Sequence, residues 1–138
     1  MTSVITWTCF SVLFLGLLLT GCGQETKPTG RDFFVEPKDG AEVTSPVKVV
    51  MGIEGMTVKP AGEVVAGTGH HHIIINSGFI PAGQVIPSDA THKHYGKGQT
   101  ETVLKLAPGD YKLTMQFADG LHRSYGEAWS DTINIKVK

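Results

Sequence analysis

Tyr111-Lys112-Leu113-Thr114-Met115-Gln116-Phe117 alternates apolar and polar residues without a break. A period of two places Tyr111, Leu113, Met115 and Phe117 on one side of an extended chain, which predicts a β-strand with one buried face. Just before it, Leu106-x-Pro108-Gly109-x-Tyr111 has the form of a tyrosine corner, in which a Tyr hydroxyl bonds back to the turn backbone.

Working outward, the same signal recurs. Ile133, Ile135 and Val137 alternate at the end of the chain, and residues 100–106 alternate before the Ala107-Pro108-Gly109-Asp110 turn. Ile73-Ile74-Ile75, Val47-Lys48-Val49-Val50-Met51 and Phe33-Phe34-Val35 are further β-branched or aromatic runs. Ser130-Asp131 reads as a turn. No segment carries a helical period. About seven short strands in one domain predict an all-β, antiparallel sandwich of the immunoglobulin-like type. A cupredoxin-like Greek key would give a similar string.

The N-terminal end differs in composition. Residues 1–22 hold no charged side chain, and residues 9–19 form an almost unbroken apolar run. At about 11 residues that run suits a signal peptide and falls short of the roughly 20 that span a bilayer. It exits into Leu19-Thr20-Gly21-Cys22, a lipobox-like sequence whose cysteine thiol would take a diacylglycerol. Two or more acyl chains, at about 0.8 kcal/mol per buried CH₂, anchor a protein to a membrane surface. The expected organisation is a cleaved lipoprotein signal over residues 1–22 with Cys22 lipidated, a polar tether over 23–31, and one domain over 32–138. The expected location is the bacterial cell envelope, with the membrane as a partner through that lipid.

Composition excludes some functions. The chain has 138 residues, is 41% hydrophobic and 18% charged, and carries a formal net charge of -1. It has no basic run, so nucleic acid is not an expected partner. Its only cysteines are Cys9 and Cys22, which leaves the mature domain without a disulfide or a thiolate ligand. No nucleophile elbow, P-loop or dinucleotide fingerprint is present.

Histidine is the residue type that carries chemistry here. All six lie in the mature domain: His70, His71, His72, His92, His94 and His122. On a strand His70 and His72 share a face and His71 takes the other. A second H-x-H, His92 and His94, sits in a Gly-rich segment expected to be a loop, and His122 follows Asp119 beyond the Tyr111 strand. Loops cluster at the ends of a sandwich, so these segments could meet there. The expected site is a metal centre with His70, His72, His94 and His122 as ligands, and with Asp119, His71 and His92 behind them. Asp119 would fix an imidazole tautomer. Neutral imidazole favours copper or zinc over calcium or magnesium. Met51, Met56 and Met115 offer thioethers, although Met115 belongs to the apolar face. Metal affinity would fall below about pH 6.5, where imidazole protonates. The alternative is a non-catalytic interaction module whose histidines only brace the fold. An enzyme is not expected; Glu101 and Asp119 are the carboxylates that a metal-dependent one would draw on.

Four linked motifs carry a resemblance. Gly69-His70-His71-His72-Ile73, His94-Tyr95-Gly96-Lys97-Gly98-Gln99-Thr100-Glu101, Leu106-x-Pro108-Gly109 and Asp119-x-x-His122 resemble a family of small exported bacterial proteins, domain of unknown function 4399. The resemblance covers about residues 33–137. This chain has Asn76 where that family usually carries an acidic residue, so no carboxylate ligand is expected there. The resemblance implies a domain boundary and motif positions but no activity.

Overall fold

A computed structural model describes residues 29–138. The signal segment, Cys22 and the tether up to residue 28 lie outside the described residues.

The described chain is all-β, with no α-helix. Nine strands run in the order β1 (Arg31–Glu36), β2 (Glu42–Val43), β3 (Val47–Glu54), β4 (Thr57–Val58), β5 (Thr68–Ile75), β6 (His92–His94), β7 (Glu101–Leu104), β8 (Gly109–Ala118) and β9 (Ser130–Val137). They form two sheets, β1-β3-β7 and β2-β9-β8-β5-β4, with β6 also paired to β5. Most pairings are antiparallel; β2–β9 and β4–β5 are parallel. Beyond the runs read in the sequence, β2, β4 and β6 are pairings of two or three residues, too short to leave a periodic signal.

The two sheets close on one apolar core. Phe34, Val47, Val49, Met51 and Leu104 come from the smaller sheet. Ile73, Ile75, Leu113, Met115, Ile133, Ile135 and Val137 face them from the larger one. Met51 and Met115 are therefore core residues. The Tyr111 hydroxyl donates to the Ala107 carbonyl at 2.9 Å, the back-bond expected of that corner.

Two local expectations are corrected. Ser130 and Asp131 open β9 instead of forming a turn, and an Asp131 carboxylate oxygen accepts the Phe34 N–H at 3.0 Å, tying the sheets together. The polar face of β8 is also solvent-facing only at its start, at Asp110 and Lys112. Thr114 and Gln116 are as fully buried as Leu113 and Met115.

Covering segments explain that burial. The stretch after β5 and the stretch between β8 and β9 fold over the outer face of the larger sheet. Gln116 there accepts the Ile80 N–H and donates to the Gly126 and Trp129 carbonyls, each at 3.0 Å. Thr114 donates to the Ser77 carbonyl at 2.8 Å. Buried polar groups persist only when bonded in this way. The result is a second, polar interior on the outer face of the sheet.

Candidate metal centre

That polar interior extends to His70 and His72, the latter paired in register with Gln116. β5 is buried along both faces from Gly69 to Ile75, and its period of two divides the GHHH run. His71 shares the parity of Ile73 and Ile75 and enters the apolar core. His70 and His72 take the opposite face, at 0% and 1% exposure.

β6 supplies the next ligand, and here the expected loop is a strand. The β5–β6 register sets His94 directly opposite His72 and His92 opposite Ile74. Cross-strand partners project to the same side, so His94 arrives beside His72 through backbone pairing. The segments do not meet merely by clustering at a sandwich end.

His122 comes from the turn after β8. Its backbone is in the left-handed region, φ 65°. Asp119 builds this turn. One of its oxygens accepts the Leu121 and Arg123 N–H groups at 2.9 and 3.0 Å, and the other pairs with the Arg123 guanidinium at 2.7 Å. The His122 N–H donates to the Asp119 carbonyl at 2.9 Å. The Asp119 carboxylate thus aims His122 through the backbone. It hydrogen-bonds no imidazole, contrary to the tautomer-fixing role expected of it.

The four side chains converge. One ring nitrogen from each of His70, His72, His94 and His122 lies within 4.8 Å of the other three. His72 Nε2 is 3.0 Å from His70 Nε2, which is 3.1 Å from His122 Nδ1. Nitrogens around a tetrahedral zinc at about 2.0–2.1 Å stand about 3.3 Å apart, so these spacings match the edge of such a site.

The other two histidines stand apart from this group. His71 Nδ1 lies 3.0 Å from Asp32 Oδ1 of β1, in the core between the sheets, and both side chains are fully buried. His92 pairs with Asp89 at 2.9 Å, a contact that holds the Asp89 carboxyl well below its ordinary range. Neither places its ring behind a cluster ligand, as had been expected. Glu101 lies exposed on β7 of the smaller sheet.

Asp32 and Asp89 were missed in the sequence. Asp32 had a readable signal, because it shares the parity of Phe34 and so faces the core. A lone carboxylate at a core-facing position needs a partner.

Such close imidazoles require neutrality. Burial first, then His94 and His122, bring His70 down to about 4. Burial first, then His70, bring His72 down to about 2. His94 is lowered by burial and then by His122. His70 and His72 are therefore already deprotonated well below pH 6.5. The window in which protons compete with a metal for this pair lies lower than the sequence led us to expect.

The same shifts make stability depend on pH. With folded values depressed, the unfolded chain binds more protons below about 6.5. The stability carried by the neutral pair is complete above that pH and is lost as pH falls toward 4. The loss is at most about 1.4 kcal/mol per pH unit for each histidine. Asp32 runs the other way. Burial outweighs the pull of His71 and raises its carboxyl to about 6, which offsets one histidine between its ordinary value and 6. The net slope still follows the histidines. The urea midpoint of metal-free protein should drop between pH 6.5 and 4.5, and a flat midpoint would contradict the buried, neutral cluster.

Comparison with known families agrees with the motif reading. The model of the family described as domain of unknown function (DUF4399) matches residues 49–138. The chain belongs to this family. The DUF4399 match takes in β5, β6, the Asp119–His122 turn and so all four converging histidines, while Asp32 on β1 lies before it. No curated protein and no solved structure matches the chain.

Proposed function

We propose that this chain is a lipid-anchored envelope protein whose immunoglobulin-like sandwich binds one transition-metal ion, copper or zinc, through His70, His72, His94 and His122. The observation that carries the reading is the convergence of four imidazole nitrogens within 4.8 Å, two of them on fully buried side chains. Their ring nitrogens face one another, and His70 Nε2 has two nitrogen neighbours at once. A proton can sit in each contact, but a single cation satisfies all four donors together. Imidazole-only coordination favours borderline divalent ions over hard ones.

Binding, not catalysis, is the reading, since four protein ligands complete a tetrahedral shell. The Asp119 carboxylate is engaged by Arg123 and the turn backbone. The membrane is the partner through Cys22, on the strength of the apolar run and Leu19-Thr20-Gly21-Cys22.

Two measurements test the two halves. Titration of metal-free protein with Zn²⁺ or Cu²⁺ should saturate at about one ion per chain; no saturable binding overturns the metal reading. Cys22→Ala should abolish acyl labelling in cells and leave unprocessed precursor. Acyl label retained on that variant overturns the anchor.

A further inference from the structure

The four histidines are not equivalent. His70 and His72 lie on a strand flanked by β8 and β6 and are closed off from solvent. His122 is half-buried and pinned by the Asp119 turn, with its carbonyl accepting the Ile86 N–H at 2.9 Å. These three are linked nitrogen to nitrogen at 3.0 and 3.1 Å. His94 is the exposed member, on the last residue of a three-residue strand.

Its imidazole also rests against a glycine. A Cβ on Gly96 would stand 2.2 Å from His94 Nε2 and 2.3 Å from its Cε1. Any side chain at position 96 would therefore push the ring off. The backbone beneath it is fixed independently: Tyr95 is buried and its N–H donates to the His71 carbonyl at 3.1 Å. The ring can swing out to solvent while the strand stays paired, which neither His70 nor His72 can do without opening the core.

We propose that His94 is the exchangeable ligand of the centre, that the ion is loaded and released past it, and that His70, His72 and His122 form the platform that holds it; this rests on the metal-binding reading above. Gly96 is then a positioning residue. It leaves the room in which the His94 ring closes over the ion. With His94 displaced, the ion keeps three protein ligands and one open position, the arrangement in which small external ligands bind.

The test uses the full-length chain purified in detergent and loaded with Cu²⁺ alone. His94→Ala should keep affinity within about tenfold of wild type, yet release the ion to EDTA at least about tenfold faster. It should also take added imidazole into the freed position, seen as a shift in the Cu²⁺ electron paramagnetic resonance spectrum. His72→Ala should lose affinity by more than about a hundredfold, with no rescue by imidazole. Gly96→Ala, which keeps the histidine and displaces its ring, should release as fast as His94→Ala. The proposal is overturned if His94→Ala loses as much affinity as His72→Ala, if its release is not accelerated, or if Gly96→Ala releases like wild type. Wild-type protein that binds no Cu²⁺ overturns the metal-binding reading itself, a result distinct from all of these.

Discussion

Replacing His72 and His94 together by alanine should abolish tight Zn²⁺ or Cu²⁺ binding, a loss of at least about a thousandfold, while the far-UV circular dichroism stays that of a β-protein. The size follows from what remains. His70 and His122 would be left as a two-nitrogen site, whereas both borderline ions need three or four ligands to compete with water. The fold should persist because the sandwich core lies on the other face of β5, with Ile73 and Ile75. Removing His72 also removes the more strongly depressed imidazole. The metal-free double variant should therefore lose less stability on acidification than the parent does. If the histidines were only braces, the outcome would reverse: there would be no metal affinity to lose, and stability near neutral pH would fall instead.

His71→Leu should be the most destabilising single change on the opposite face of that strand, at about 3–5 kcal/mol near neutral pH. It strands Asp32, which is 1% exposed and has the His71 Nδ1 3.0 Å from its carboxyl. A buried carboxyl deprived of that neighbour must either stay ionised in an apolar setting or take up a proton, and both are costly at pH 7. Replacing both partners, Asp32→Leu with His71→Leu, should recover most of the loss, because two apolar side chains suit the surrounding core. Urea unfolding of the two variants separates these cases. A single variant as stable as the parent would mean that the pair contributes nothing. Because His71 points away from the other histidines, the double variant should still bind metal.

How much of this was readable beforehand depends on the distance over which each feature is determined. The β8 alternation and the Tyr111 corner are local, and both the strand and the back-bond to Ala107 are present. The division of His70 and His72 from His71 is equally local, since it follows from parity on a strand. β6 was not legible. Its three residues, His92-Lys93-His94, lie among glycines and polar residues and have no intrinsic strand signal. They become a strand because β5 offers an edge to pair with, and that pairing sets His94 against His72.

The role of Asp119 was hidden for a similar reason. A D-x-x-H spacing is compatible with a carboxylate on the imidazole or with one that builds the turn beneath it. The Leu121 and Arg123 contacts decide for the turn. The burial of Thr114 and Gln116 was likewise beyond a period-two reading, which reports one covered face and says nothing of segments that return over the other.

The central claim is that four imidazoles meet on one ion, and X-ray absorption at the metal edge tests it most directly. Protein loaded with one equivalent of Zn²⁺ should show about four nitrogen neighbours at about 2.0–2.1 Å, with the outer-shell scattering of imidazole rings and no sulfur. A first shell dominated by oxygen, or one with fewer than three imidazoles, would contradict the account.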